Sequence, residues 1–346
     1  MKKEMVKKVF ACGMSAAMVF AMAACGGSSE TTAAAADTTA AAADTTAAAD
    51  TTAAAADTTA AAETGLKDTY KVAVVKQMDH ASLDEIADAI VAELDKLAEE
   101  NGITIDYGQV YSGQGDQSIL MQIGDQAISD GVDAIIPIAT LAAQVMTSCA
   151  EETKTPVVFA AISDPEEADL VGIDYVTGTS DALNTDFILD MMLAQNPDVQ
   201  KVGLLYSLSE PNSTTPIAEA KAYLDAKNIE YVEATANTND EVISAASVLA
   251  SEGVDAVFTP TDNIIMAAET TIAQTFAEAG IPHYTGADSF VRNGAFTTCG
   301  VNYTDLGTKT ADLAFEAMTK GMDGMEDFYK MDGGIITVNT ETAAEL

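Results

Sequence analysis

The run Lys71-Val-Ala-Val-Val75 returns as Lys201-Val-Gly-Leu-Leu205, and Gly131-Val-Asp-Ala-Ile-Ile136 returns as Gly253-Val-Asp-Ala-Val-Phe258, in the same order. Each run is short, apolar and rich in β-branched residues, as a strand buried on both faces is. Within each copy, a helical pattern, a second strand and an amphipathic helical pattern lie between the Lys-Val run and the Gly-Val-Asp run. A duplicated alternation of this kind predicts an α/β protein of two Rossmann-like, parallel-sheet lobes joined by a hinge.

Local signals agree with that plan. Ile86, Ile90, Leu94 and Leu97 recur at helical spacing and stop at Asn101-Gly102, while Ile119, Ile123 and Ile128 mark a helix after Asp116. Pro156 introduces a further strand from Val157. In the second copy, helices are predicted from Pro216, Asp240 and Ile264, and strands from Ile229, Val254 and Pro282.

Outward from the repeat, the N-terminus has the layout of an export signal: Lys2, Lys3, Lys7 and Lys8 precede an apolar run from Val9 to Ala24 that stops at Cys25. The run is shorter than the roughly 20 residues of a permanent membrane helix. Met22-Ala23-Ala24-Cys25 resembles a bacterial lipobox, so residues 1–24 are expected to be a lipoprotein signal peptide and Cys25 the lipid (palmitate) attachment site, holding the chain outside the cell membrane. Residues 25–65 reduce to Ala, Thr and Asp around a repeated Asp-Thr-Thr-Ala-Ala-Ala unit, which has no large apolar residue to build a core and reads as a disordered tether.

The remaining roughly 280 residues suffice for two lobes. We expect residues 66–180 with about 298–325 in the first lobe and 181–297 with about 326–346 in the second. A net charge of −38 without a basic stripe excludes nucleic acid as a partner and suits a solvated, exported monomer. Beyond Cys12 and Cys25 the only thiols are Cys149 and Cys299. With two separated histidines, His80 and His283, they form no metal-ligand spacing, so neither metal nor cofactor is expected. Gly113-Gln114-Gly115 lacks the third glycine and the acid of a dinucleotide fingerprint, and no nucleophile stands beside a base, which argues against an enzyme.

In open parallel sheets, ligands collect beyond the carboxyl ends of the strands. Those positions are polar here: Gln77 to Ser82 with Asp79 and His80, Thr140 with Gln144 a turn later, Ser163-Asp164-Pro165, Ser207 to Ser213 with Ser209 and Asn212, Thr261-Asp262-Asn263, and Asp288-Ser289. Hydroxyls, amides and helix N-termini can hold a carboxylate and the acids an ammonium, a pairing that suits a zwitterion. Ser, Thr, Asp and Asn are also ordinary caps and turn formers. Tyr107, Phe159, Tyr206, Phe290 and Tyr303 are the aromatics available to stack on a ring.

The same segments carry a resemblance. Asp79-His80-Ala81-Ser82-Leu83-Asp84, Gly115-Asp116-Gln117-Ser118, Ile138 to Gln144, Ser163-Asp164-Pro165, Thr177 to Asp181, Glu210-Pro211-Asn212-Ser213, Thr261-Asp262-Asn263, Gly286-Ala287-Asp288-Ser289 and Val301-Asn302-Tyr303-Thr304-Asp305-Leu306-Gly307 are similar to the tryptophan/tyrosine-type substrate-binding proteins of ABC transporters. The resemblance implies a periplasmic-binding-protein fold of the first type, whose lobes shut on a ligand, and a permease with its ATPase as partners. It also implies that Thr140 and Gln144 line the first-lobe wall, that Ser209, Asn212 and Ser213 donate to the amino-acid backbone, and that Asp262 takes the ammonium. Together these readings make Asp79, His80, Ser82, Thr140, Gln144, Asp164, Ser209, Asn212, Ser213, Asp262, Asn263, Asp288 and Asn302 the candidate ligand-binding residues. An aromatic amino acid is the expected ligand. Nucleoside or sugar binding on the same fold, or sensing without transport, are the alternatives.

Overall fold

The computed structural model describes residues 65–346; the expected signal peptide, Cys25 and the tether up to residue 64 lie outside the described residues. The chain begins with β1 (Thr69–Lys76), α1 (Ala81–Asn101), β2 (Thr104–Asp106), β3 (Val110–Ser112), α2 (Gln117–Ser129), β4 (Ala134–Ile138), α3 (Thr140–Cys149), β5 (Val157–Phe159) and β6 (Val176–Ser180). It continues with α4 (Thr185–Gln195), β7 (Lys201–Tyr206), a 3-10 turn at Pro211–Ser213, α5 (Thr214–Lys227), β8 (Glu230–Thr235), α6 (Asn239–Ser251), β9 (Ala256–Thr259), α7 (Asn263–Glu278), β10 (His283–Thr285), α8 (Asp288–Arg292) and β11 (Thr297–Gly300). The last elements are α9 (Tyr303–Lys320), β12 (Tyr329–Lys330), β13 (Ile335–Val338) and α10 (Thr342–Glu345).

Two sheets result, ordered β12-β6-β5-β4-β1-β2, with β3 also on β1, and β13-β11-β10-β9-β7-β8. The orders correspond position by position, so the sequence repeat is a repeat of topology. All pairings are parallel except β13 on β11. The register corresponds as well: Val72 faces Ala134 in one sheet and Val202 faces Ala256 in the other.

The repeated Gly-Val-Asp motif has a physical reason. Gly131 and Gly253 both take φ 65°, the left-handed turn that follows α2 and α6, which glycine enters without steric cost. Two residues on, Asp133 accepts from the Lys71 N–H at 2.9 Å while its own N–H donates to the Lys71 carbonyl at 2.7 Å. Asp255 does the same for Lys201, at 2.9 and 2.8 Å. In each sheet the aspartate therefore sets the start and register of the two central strands.

One buried cluster packs on the outer face of the first sheet around Val75, Ile135, Val157 and Phe159, and another on the second around Val202, Leu204, Phe258 and Tyr284. The third runs from Val72, Ile86 and Ile136 through to Met266, Phe290 and Leu306, and so spans both sheets. The chain passes between the sheets at residues 181–184, 301–302 and 331–334. α9 returns to pack on α1, and its Gly307 permits the close approach: an added Cβ would lie 2.6 Å from the Ile86 carbonyl oxygen. Cys149 and Cys299 are both free thiols.

Candidate functional site

The carboxyl ends of the two sheets face each other, and the polar strand ends meet across a shut cleft. Gln77 Nε2 donates to Glu210 Oε1 at 2.6 Å, His80 Nε2 lies 3.0 Å from Asn263 Oδ1, and Ser82 Oγ lies 2.5 Å from Ser289 Oγ. Ser163 Oγ is 2.9 Å from Thr261 Oγ1, and Thr215 Oγ1 donates to Asp164 Oδ2 at 2.7 Å. At the rim, Arg292 pairs with Glu85 across the cleft and with Asp288 on its own helix at 2.6 Å.

Between these contacts lies a cavity of about 20 Å³, room for about one water, so a larger ligand enters only when the lobes part. Its polar wall is His80, Ser82, Asp181, Asn212, Thr261, Asp262, Asn263 and Tyr303; its apolar wall includes Leu83, Met266 and Phe290. No Lys or Arg lines it. A larger groove of about 920 Å³ opens beside α4, α5 and residues 330–334. One lobe and the hinge supply its walls, so lobe closure does not enclose it.

The two sides of the cavity differ in charge. α1 begins at His80 without a side-chain cap, leaving first-turn N–H groups and the positive helix end toward the cleft, while in the first turn of α3 the Leu141 N–H is taken by Gln77 Oε1 at 3.1 Å. Ala139, at φ 77° and ψ 161°, sits in backbone space that favours glycine, a strain of about 1–3 kcal/mol that aims the start of α3. Opposite, Asp262 is fully buried as the cap of α7, accepting from Ile265 N at 3.0 Å, Ser207 N at 2.7 Å and Ser213 Oγ at 2.7 Å. Asp181, on the first hinge crossing, accepts from Ser163 Oγ at 3.0 Å and Tyr303 Oη at 3.0 Å. Burial raises both carboxyls above the usual range. Burial, with the charge of Asp262, pushes Glu210 up to about 8, and burial holds His80 down to about 4, so the imidazole is neutral at pH 7.

Two buried polar atoms on the cavity wall have no partner: His80 Nδ1 and Asn212 Oδ1. Asn212 Nδ2 is already donating to the Thr261 carbonyl at 2.6 Å, so the free atom is an acceptor. Asp288 Oδ1 and Thr140 Oγ1 are likewise buried and unpartnered near the cleft.

Of the residues expected at the site, His80, Ser82, Asn212, Asp262 and Asn263 line the cavity. Ser213 stands behind Asp262 as its donor, Gln144 donates to the Ala168 carbonyl at 3.1 Å, and Thr140 is the buried first residue of α3. Asp164 bridges to Thr215, whereas Asp79 is exposed, accepting from Ser112 Oγ at 2.9 Å and paired with Lys76 at 2.8 Å. Ser209 bonds Ser207 at 2.7 Å, and Asn302 caps α9 through Asp305 N at 2.8 Å. Asp181 at the wall, and Gln77 and Glu210 behind it, were not among the candidate ligand-binding residues, and Tyr303 was expected only as a ring surface. Their signal was present, since all four lie in strand-end or hinge motifs. Of the aromatics, Phe290 and Tyr303 reach the cavity; Phe159 is core, Tyr206 donates to Glu233 at 2.5 Å and Tyr107 to Asp95 at 3.1 Å. Among the described residues, no group of three or more His, Cys, Asp or Glu side chains is placed to hold a metal, and no helix is long and apolar enough to cross a membrane.

Two parallel-sheet lobes, a threefold-crossed hinge and a cavity walled by both lobes define a solute-binding protein that works by lobe closure. The chain belongs to the ABC transporter substrate binding protein family, whose sequence pattern matches residues 71–346, and members of that family act outside the cytoplasmic membrane. It is 29% identical over 291 residues to a tyrosine-binding protein of Clostridioides difficile (strain R20291), covering 82% of this chain and 83% of that one. It is 29% identical to an L-Trp complex from Streptococcus pneumonia, with a TM-score of 0.72 and 80% and 94% of the two chains covered. A ligand-free, open substrate-binding protein with adhesive properties from Clostridium difficile is 27% identical at the same coverage of 80% and 94%, with a TM-score of 0.59.

Proposed function

We propose that the protein captures a free aromatic amino acid between its lobes and delivers it to an ABC permease and its ATPase. The observation that carries this reading is the split of the cavity wall. The uncapped N-terminus of α1 suits the ligand's carboxylate, and Asp181, Asp262, Asn212 Oδ1 and His80 Nδ1 suit its ammonium. In this arrangement Asp262 takes the ammonium, as expected from the resemblance, with Asp181 beside it. Phe290, Tyr303, Met266 and Leu83 are the surfaces on which a ring would rest. A tyrosine-binding relative and an L-Trp-bound relative support the choice of side chain.

The mechanism is capture. In the parted form the uncapped end of α1 and the acids are wetted. A zwitterion that contacts both walls stabilises the shut form by its differential affinity, and that form is the one the permease reads. The same reading makes the chain a monomer held at the outer face of the membrane by a lipid on Cys25, through the tether of residues 25–65. Replacing Cys25 by Ser should move it from the membrane fraction to the soluble one.

The deciding experiment is thermal unfolding against amino acids, nucleosides and sugars. A ligand at a hundred times its Kd adds about 2.7 kcal/mol to native stability. L-Trp, L-Tyr or L-Phe should raise the midpoint; a rise with nucleosides or sugars alone rejects the amino-acid reading.

A further inference from the structure

A chain of hydrogen bonds behind the cavity ties the proton positions of His80 to the ionisation of Glu210, and with Glu210 ionised it can be followed from one unambiguous donor. The backbone N–H of Leu141, in the first turn of α3, donates to Gln77 Oε1 at 3.1 Å. The other end of that amide is therefore its NH2, which donates across the cleft to Glu210 Oε1 at 2.6 Å. The second oxygen of Glu210 accepts from Asn263 Nδ2 at 2.6 Å. Asn263 then turns its Oδ1 toward His80 Nε2 at 3.0 Å, and an amide oxygen there requires a proton on Nε2. A neutral ring with its proton on Nε2 has a lone pair on Nδ1, the buried and unpartnered atom at the cavity wall.

The chain has a second consistent setting. Gln77 cannot turn, because Leu141 holds it. If Glu210 carries a proton, that proton sits on Oε2 and donates to Asn263, which must turn its oxygen toward Glu210 and its NH2 toward His80 Nε2. The imidazole proton then moves to Nδ1 and points at the cavity. Near neutrality Glu210 can exchange a proton, since burial and the Asp262 charge press on it. Lys76, Asp79 and Asp84 are the charged groups whose fields reach His80.

We propose that Glu210 is a positioning residue for amine recognition: ionised and joined to Gln77 when the lobes shut, it sets His80 through Asn263 so that Nδ1 accepts a hydrogen bond from the ligand's ammonium. Protonated, it turns the same ring into a donor that rejects an ammonium. Glu210 does not line the cavity and acts only through Asn263 and His80. The inference rests on the amino-acid reading of the site and adds the residue that enforces it.

The test uses the full chain with ¹⁵N-labelled histidine. The chain has two histidines, and a His283→Gln variant assigns them. Imidazole ¹⁵N shifts in the L-tryptophan complex at pH 9, above the value of about 8 to which Glu210 is pushed, report which nitrogen carries the proton. We expect His80 to be neutral and protonated on Nε2. Glu210→Gln keeps the shape of the side chain but presents an NH2 to Asn263, so the proton should move to Nδ1. The preference for L-tryptophan over 3-indolepropionate, which lacks the amine, should then fall at least tenfold. A wild-type complex protonated on Nδ1, or a variant whose tautomer does not change, overturns the proposal even if affinity falls, because loss of charge alone would lower affinity without moving the proton. The wild-type spectrum decides the matter should the variant fail to fold. If no amino acid binds at all, the reading of the site fails first and the proposal goes with it.

Discussion

Asp262 illustrates how one residue serves fold and site together. As the cap of α7 it satisfies Ile265 N, and its second oxygen takes Ser207 N and Ser213 Oγ, so a buried charge is held by three donors. Asp262→Ala removes the cap and leaves the Ser207 N–H buried without a partner. The two losses together come to about 2–4 kcal/mol. Amino-acid affinity measured by calorimetry should fall at least tenfold in that variant; full-strength binding would remove the ammonium assignment. Sequence position made Asp262 and His80 visible as strand-end residues. Nothing local distinguished them from Asp79, which is also polar and stands three residues past the end of β1 but points to solvent. Periodicity says where a strand stops, and the packing of the facing lobe decides which side chain behind that point is buried.

At the scale of elements, the Gly-Val-Asp repeat predicts equal consequences in the two sheets. Asp133→Ala deletes the acceptor of the Lys71 N–H inside β1, and Asp255→Ala that of the Gln200 and Lys201 N–H groups at the start of β7, and each should cost about 1–2 kcal/mol in chemical denaturation. Unequal costs would show that the two motifs carry different loads despite their shared register. The major helices and strands were legible because their apolar periods are long and end on Gly, Asn or Pro. β3, of three residues, α8, of five, and β12, of two, are too short to show a period. β12 is held by pairing to β6 and by Met331 N donating to the Ser180 carbonyl at 2.9 Å, contacts made between segments about 150 residues apart.

For the whole molecule, closure is linked to pH with two opposing signs. His80 has an ordinary value of about 6.5 and is held down to about 4 in the shut form. A depressed histidine favours the shut form above 6.5, and that preference, about 3 kcal/mol at most, is lost as pH falls through about 4. Glu210 is raised to about 8, so it favours the shut form at low pH and loses that preference as pH rises from its usual range through 8. The two dependences cancel between about pH 4.5 and 6.5, so closure should be strongest there, with a larger radius of gyration on either side in small-angle scattering. His80→Asn should leave the Glu210 dependence alone, with closure weakening from about pH 4.5 upward; an unchanged profile would place the linkage elsewhere. A bound ammonium donating to His80 Nδ1 favours the ionised setting of Glu210 through Asn263, so ligand should extend closure toward alkaline pH.

The sequence by itself determined the duplicated strand-helix plan, the two-lobed α/β class and the polar carboxyl ends, because buried strands, helix stops and the Gly-Val-Asp clamp are short-range consequences of side-chain chemistry. Only the tertiary structure decided which of those polar residues share a wall, that Gln77 meets Glu210 and His80 meets Asn263, and that Asp181 and Tyr303 belong beside Asp262. Those partners lie 122 to 183 residues apart in the chain. Their meeting depends on the hinge and on the angle at which two separately built sheets close, and no local period or motif encodes that angle.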